Sequence, residues 1–338
     1  MARGPSNRSA PIKITDVAAA AGVAPMTVSR VLNTPDRVSP ETTARVRAAI
    51  ERLGYVPNLI AGGLSSRKSR MVAAIVPTIA HPMFAGLVQA FTDSMRQAGY
   101  QVMLSICGYH DPDDEGLFRA LLGRRPDALL ITGSSYSPAA LQMLIEAHIP
   151  VVEIWDVSSR PIDMMLGFGH AQVGAEVAAF FHAKEHDRCA VLVADDSRAV
   201  SRARGFVEGV AKAGGTLVRE MIVPAPSTIS AGREGLRSLL PDLGERCALF
   251  CGSDLMAFGV VTEARIQGVA VPDRLAVCGF GNFELAAQCD PAITTVSLEG
   301  VETGRSAATM LLRRLAGEEP RDADRMQVPF SIIERATT

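Results

Sequence analysis

Aromatic residues make up only 5% of the 338-residue chain, with a single tryptophan, so any core has to be built from Ala, Val, Leu and Ile. The six cysteines, Cys107, Cys189, Cys247, Cys251, Cys278 and Cys289, form no Cys-x-x-Cys pair and mostly fall in apolar, strand-like runs. That pattern argues against a thiolate metal site or a disulfide framework and predicts buried thiols, with no metal and no cofactor. No apolar run approaches the length of a membrane span, and Met1 to Pro11 has Arg3 and Arg8 but no apolar segment of a secretory signal; a cytoplasmic protein without membrane contact is expected. Two glycine pairs, Gly167-Phe168-Gly169 and Gly279-Phe280-Gly281, lack the third glycine and the helix start of a dinucleotide loop. His182-Ala183-Lys184-Glu185-His186 has the HxxEH spacing of inverted zinc peptidases, but it stands where a helix ends before a strand, so no metal is expected there. No nucleophile, base and oxyanion constellation emerges, so the chain does not read as an enzyme.

What is present is an uneven distribution of charge. The net charge is −2, yet residues 1–70 hold 11 Lys and Arg against 4 Asp and Glu, an excess of seven positive charges, and the remainder is acidic. A basic head on an acidic body implies that the head alone meets a polyanion.

The head is organised around Ile14 to Asn33, which reads as two short helices about a tight turn. Val17, Ala18 and Ala21 form a small apolar face, and Gly22 can leave the helix at positive φ. Pro25 suits the first position of a second helix, in which Val28, Val31 and Leu32 face inward, leaving Thr27, Ser29, Arg30 and Asn33 outside. Small polar and cationic groups on one face of a second helix are what the DNA major groove requires: Arg30 can take guanine O6 and N7 together, and Thr27, Ser29 and Asn33 can reach phosphates or base edges. Ser39-Pro40-Glu41 starts a third helix with inner stripe Val46, Ile50 and Leu53, ended by Gly54.

From Met71 onward strands and helices alternate. Strands are expected at 71–77, 102–106, 128–132, 150–154, 189–194, 217–223, 247–251, 275–279 and 328–333. Helices are expected near 83–99, 114–123, 137–147, 171–184, 200–213, 230–240, 254–267 and 300–315. Strict alternation implies parallel, doubly wound sheets, and nine strands exceed a usual single sheet, so an α/β body of two similar lobes with a cleft is predicted. Ligands of such sheets bind beyond the carboxyl ends of the strands, here Pro77 to Phe84, Thr132 to Tyr136, Asp156, Gly167 to His170, Asp195 to Arg202, Gly252 to Asp254 and Gly279 to Asn282.

Asp16-Val17-Ala18, Ala21-Gly22-Val23, Thr27-Val28-Ser29-Arg30 and Asn33, followed by Val38-Ser39 and Gly54-Tyr55-Val56-Pro57-Asn58, closely resemble the N-terminal signature of the LacI/GalR family of bacterial repressors. The resemblance extends more loosely over nearly all of the remaining chain. It implies a three-helix helix-turn-helix domain at 12–56 after an arm at 1–11, a hinge at 57–70, and a periplasmic-binding-protein-like body at 71–338. In that body the first lobe spans about 71–167 and 297–325 and the second about 168–296 and 326–338, with crossings near Phe168 and Pro291. The partners implied are a double-stranded DNA operator with an inverted repeat, a small-molecule effector and a second copy of the chain. The absence of a long heptad tail after Ile333 points to a homodimer rather than a tetramer.

By the same resemblance, operator contacts are expected from Thr15, Pro25, Met26, Thr27, Ser29, Arg30, Asn33, Arg37, Ser39 and Tyr55, and from Asn58, Ala61 and Leu64 of the hinge, with Leu64 wedged in the minor groove. Some positions depart from the family pattern. Ala24 replaces the usual Ser cap, costing about 1 kcal/mol that Pro25 partly offsets; apolar Pro25 and Met26 suit thymine methyls; and Leu59 and Gly62-Gly63 make a poorer hinge helix. In the cleft, Thr78, Phe84, Thr132, Asp156, Arg202, Ser253, Gly281 and Asn282 are the implied effector residues, with Arg202 of the Arg-x-x-Gly-Phe pattern as the polar anchor. Gly281 stands where many members carry a hydroxyl-binding Asp. Its lack of charge beside Arg202 favours an acidic effector. Pro25-Met26-Thr27, Ile149 to Glu153 with Asp156, and Gly167-Phe168 resemble the gluconate-utilisation repressors of the family, which points to a sugar acid. A neutral sugar, a corepressor or activator mode, and a sugar-binding body without a DNA role stay open, although the basic head argues against the last.

Overall fold

In the head, Lys13 N–H donates to the Asp16 carboxylate at 2.8 Å and starts α1 (Ile14–Ala21), which Gly22 ends at φ 65. The computed structural model describes residues 12–56, 69–109, 114–133 and 136–338, so the arm and the hinge, with Asn58, Ala61 and Leu64, lie outside the described residues. Helix α2 (Pro25–Asn33) begins without a side-chain cap at Ala24, Pro25 taking the first position. Helix α3 (Pro40–Leu53) is capped by Ser39, whose Oγ accepts from Thr42 N. Val17, Ala18, Ala21, Val28, Val31, Val46 and Ala49 close into a small core that Ile50 and Leu53 flank. Leu32, expected inward, is 37% exposed because it lies at the end of α2, beyond what a core this small covers.

Contacts divide the chain into one unit ending at Ser69 and another beginning at Arg70. The second holds two six-stranded sheets. The first sheet runs in the order β2 (Gln101–Ile106), β1 (Met71–Val76), β3 (Ala128–Thr132), β4 (Val151–Trp155), β5 (Met164–Gly167) and β11 (Arg325–Gln327), all pairs parallel. The second runs β7 (Thr216–Val223), β6 (Arg188–Ala194), β8 (Cys247–Cys251), β9 (Leu275–Phe280), β10 (Thr294–Leu298) and β12 (Phe330–Ile333), parallel except for β10 with β12. The helices between them are α4 (Pro82–Gln97), α5 (Asp114–Leu122), α6 (Pro138–Glu146), α7 (His170–Ala183), α8 (Ser197–Lys212), α9 (Ile229–Leu239), α10 (Asp254–Ile266), α11 (Glu284–Gln288) and α12 (Gly300–Leu315). Central strands such as β8 and β9 are buried along their whole length, which is why they read as unbroken apolar runs.

Several expectations are corrected. Strands β5, β10 and β11 and the short α11 were not anticipated. The final strand begins at Phe330 rather than 328, because Pro329 separates it from β11. The second crossing lies between Leu298 and Gly300, not near Pro291, since β10 belongs to the second sheet. The third lies at Val328 and Pro329, not at 325/326, because β11 pairs with β5. Three segments therefore join the lobes, and two of them are hydrogen-bonded neighbours: Val328 N–H donates to Gly167 O at 2.7 Å.

One packing contact positions the cleft. Helices α7 and α8 cross so closely that a Cβ on Gly174 would lie 2.0 Å from Arg202 O and one on Gly205 1.9 Å from Ala171 O. Only glycine allows this backbone approach, and it brings the start of α7 against the Arg202 segment of α8. The six cysteines are free thiols, with Cys189, Cys247, Cys251 and Cys278 buried.

Candidate functional site

Helix α2 presents Pro25, Met26, Arg30 and Asn33 to solvent, with Thr27 and Ser29 half-buried beside them. Met26, at the first turn of α2, is 63% exposed. Asn33 Nδ2 donates to Ser29 O at 3.0 Å and Ser29 Oγ at 3.3 Å, so these two side chains act as one polar unit. Thr15, Arg37 and Ser39 are exposed and Tyr55 is half-buried against the head core. The outward face thus carries one guanidinium, one polar pair and an apolar tip, a set suited to phosphate, base-edge and methyl contacts.

In the body, two cavities lie at the carboxyl ends of the strands, between the lobes. The smaller, of about 40 Å³, is lined by His81, Phe84, Tyr109, Trp155, Phe168, His170, Asp196, Arg198 and Arg202 among others. The larger, of about 150 Å³, is lined by Cys107, Tyr109, Asp114, Leu117, Phe118, Thr132, Tyr136, Asp156, Asp196 and Arg198 among others. Of the residues singled out from sequence, Phe84, Thr132, Asp156 and Arg202 meet here. Phe84, Trp155 and Phe168 form a run of edge-to-face rings, with centroids 6.4 and 5.7 Å apart.

Arg202 is 5% exposed. Its guanidinium lies 4.0 Å over the Phe280 ring, Nη2 donates to Gly252 O at 3.3 Å, and Nη1 meets His170 Nδ1 at 3.0 Å. An arginine has no acceptor, so His170 Nδ1 must accept, which places the ring proton on Nε2, 3.1 Å from Asp156 Oδ1. Burial first, opposed by the hydrogen bond to Asp156 and reinforced by Arg202, lowers the His170 pKa to about 4, so the ring is the neutral relay this arrangement needs. Burial likewise lowers Arg202 to about 10 and, with Arg202 adding to it, His81 to about 4.

Besides His170 Nε2, which faces Asp156 Oδ1, three buried nitrogens around the smaller cavity have no hydrogen-bond partner among the described residues: Arg202 Nε, Trp155 Nε1 and His81 Nδ1. The first two can only donate. Buried donors are nearly always paired, and Arg202 and Trp155 both stand in the wall of this cavity with these nitrogens covered and unpaired.

The other sequence-derived residues serve the scaffold. Thr78 Oγ1 accepts from Ala80 N at 3.0 Å. Ser253 caps α10, its Oγ accepting from Met256 N. Asp254 instead accepts from Phe283 N and Thr295 Oγ1, and burial raises its pKa to about 6. Asn282 bonds Ser297 and Arg335. Gly281 adopts φ +126, and the space a side chain would need there is filled by the Phe283 ring. Neither Thr78, Ser253, Gly281 nor Asn282 lines either cavity. His81, Trp155, His170, Asp196, Arg198, Asp114 and Tyr136 do, and most fell inside the strand-end runs without being singled out. In the HxxEH run, α7 stops at Ala183 and Glu185 turns to φ +61, so exposed His182 and buried His186 share no helix face.

Glu153, buried within β4, accepts from Ile162 N at 2.7 Å, and burial raises its pKa to about 7 from 4.5, with Asp156 adding to the rise. The folded state therefore holds a proton that the unfolded chain releases above about pH 4.5, so its contribution is complete below that pH and is lost as pH rises through 7. Glu153→Gln, which keeps an acceptor for Ile162, is expected to stabilise the body at pH 8 by on the order of 2 kcal/mol and to change nothing at pH 4. Urea melts at both pH values measure this; equal shifts at both would show that the carboxyl proton is not the cause.

Comparison with known proteins places residues 13–58 with "Bacterial regulatory proteins, lacI family" and residues 178–338 with "Periplasmic binding protein-like domain". The chain is 32% identical over 330 residues to the HTH-type transcriptional regulator GntR of Pseudomonas aeruginosa, covering 96% of this chain and 95% of that protein. It is 30% identical over 306 residues to the protein of the same name in Escherichia coli K12, covering 90% and 92%. A crystal structure of a LacI-family transcriptional regulator from Silicibacter pomeroyi superposes with a TM-score of 0.91 at 32% identity, covering 97% of this chain and 99% of that one.

Proposed function

We propose, from the premise that this chain belongs to the lacI family of bacterial regulatory proteins, that it is a cytoplasmic repressor of sugar-acid catabolism genes whose effector carries a carboxylate. As a member of that family it is a DNA-binding transcriptional regulator with a small-molecule effector, not an enzyme. The head reads one half-site with Arg30 as the main base contact, so a homodimer reads an inverted repeat. An apolar edge on β2, where Leu104 and Ile106 are exposed, supports self-association. Thr15, Pro25, Met26, Thr27, Ser29, Asn33, Arg37, Ser39 and Tyr55 supply the remaining head contacts, and Asn58, Ala61 and Leu64 of the hinge complete them. Occupancy of the cleft decides whether both heads fit one operator.

The observation that carries the effector assignment is the pair of guanidinium groups, Arg202 and Arg198, in the wall of one small cavity that Trp155 also lines, with Arg202 Nε and Trp155 Nε1 unpaired among the described residues. Phe84 walls the site and Asp156 orients Arg202 through His170. Gluconate or a related sugar acid fits this set, and the sequence resemblance to gluconate-utilisation repressors points the same way. The carboxylates of Asp114 and Asp156 favour a second reading, a neutral sugar held through its hydroxyls. The two are separated by titrating the full chain, bound to a palindromic duplex selected from random DNA, with aldonates, aldarates and neutral sugars while following fluorescence anisotropy. An aldonate should change operator affinity at least tenfold; a response confined to neutral sugars would reverse the assignment.

A further inference from the structure

We infer that the body itself meets DNA: Arg70, Arg124 and Arg125, at the amino ends of neighbouring strands of the first sheet, dock on phosphates of the duplex that the head reads. This rests on the dimeric, DNA-binding reading above, and it concerns the end of the sheet opposite the cleft. The body is acidic as a whole, so a bare cationic face on it needs a reason.

Parallel strands put all their starts at one end. Val72 pairs with Ala128, and Asp127 N–H donates to Met71 O at 2.7 Å. Arg70, just before β1, and Arg124 and Arg125, just before β3, therefore stand side by side, and all three are exposed. Arg70 is held in place: its N–H donates to Asp127 Oδ2 at 2.8 Å, and its guanidinium lies 5.2 Å from the centre of the buried Tyr100 ring. Arg124 Nη1 donates to Ala120 O at 2.7 Å, which occupies one of the five donors of that group at the end of α5.

The other half of the same end carries arginines with an evident structural task. Arg314 Nε lies 3.3 Å from Asp163, before β5, and Arg313 Nη1 lies 3.0 Å from Asp324, before β11. Arg96, in the last turn of α4, pairs with Asp93. Arg70, Arg124 and Arg125 join no ion pair among the described residues. Three neighbouring guanidinium groups without counter-charge repel one another. A duplex, with one negative charge per about 1.7 Å of its axis, relieves that repulsion.

Position selects DNA over other anions. Thirteen residues, 57–69, separate Val56 from Arg70, and even fully extended they span at most about 45 Å. A head seated on its half-site keeps the duplex within that reach of Arg70, at an effective concentration on the order of millimolar. An acidic protein or a free anion arrives only at its bulk concentration.

Fluorescence anisotropy of the full-length chain on the selected palindrome and on random duplex, between about 50 and about 200 mM salt, tests this. The proteins are the wild type, Arg70→Gln with Arg125→Gln, Arg70→Lys with Arg125→Lys, and Arg96→Gln. Each phosphate met adds about 0.9 to the slope of log affinity against log salt, so losing two arginines in each of two chains should make it shallower by about 3 to 4. Both duplexes should weaken alike, leaving the preference for the palindrome within about twofold, because phosphates carry no sequence. The lysine pair, which keeps the charge, should hold the slope to within about 1, and so should Arg96→Gln, whose arginine is already paired. Melting temperatures should stay within about 3 °C, since these side chains are exposed. An unchanged slope in the glutamine pair overturns the docking. A lost palindrome preference at unchanged slope also overturns it, assigning the arginines to the chain between head and body. A slope that Arg96→Gln flattens as much, per arginine removed, overturns it in favour of net charge alone. In each case the DNA-binding reading stands; if the wild type shows no preference for the palindrome, that reading falls too.

Discussion

Replacing Arg202 by methionine is expected to leave the ligand-free body at least as stable as the wild type and to weaken carboxylate binding at least about 100-fold. Burial is the largest influence on Arg202 and lowers its pKa; Asp196 and Asp156 oppose it through space, but among the described residues no carboxylate is bonded to it, its neighbours being His170, Gly252 O and the Phe280 ring. A charge held this way stabilises the fold little, and methionine fills a similar volume over Phe280. The loss of the donor to His170 Nδ1 works in the other direction by about 1 kcal/mol. Gain of stability with loss of ligand is the signature of a group kept for binding. Thermal melts and calorimetric titration of the same preparation measure both sides. A loss of more than about 2 kcal/mol of stability with binding intact would make Arg202 a structural residue instead.

The second large effect belongs to Gly205. A methyl at this position would sit 1.9 Å from Ala171 O, a backbone atom that cannot swing aside, so α7 and α8 must separate. Gly205→Ala should cost about 3 kcal/mol or more, at the upper end of overpacking effects. Because separation pulls His170 from Arg202, ligand affinity should fall as well, even though Gly205 lines neither cavity. Gly209→Ala on the same helix provides a comparison: its Cβ would lie 2.8 Å from the Ala178 methyl and 3.1 Å from Ala175 Cα, a much smaller overlap than 1.9 Å, so it should cost less. If both substitutions cost the same, the close crossing at Gly205 is not what limits the packing.

The head and the alternation of the body could be read from the sequence because their signals are local. Gly22, Pro25 and the Ser39-Pro40 start carry their own backbone preferences, and buried parallel strands such as Cys247 to Cys251 show as apolar runs. Strand β11, Arg-Met-Gln and fully exposed, exists only because Met165 to Gly167 are there to pair with it, and four-residue β5 is too short to show a period. The same division holds at the cleft. Arg202 stood out through its Arg-x-x-Gly-Phe context, and Phe84, Thr132 and Asp156 through position after a strand. Pairings such as Arg202 with His170, separated by 32 residues and brought together by Gly174 and Gly205, have no local trace. Position 281 shows the reverse risk: the missing carboxylate suggested an acidic ligand, but the Phe283 ring occupies that space. The acid reading now rests on Arg202 and Arg198 instead.

Phe168 stands in the first of the three strands of chain that join the lobes, packs on Trp155, Phe280 and Phe330, and lines the smaller cavity. Three short tethers running side by side behave mechanically like the pin of a door: they resist sliding and torsion but bend readily about one axis. A molecule pressing on Phe168 would act on that pin directly, so occupancy could become rotation without any long relay of side chains.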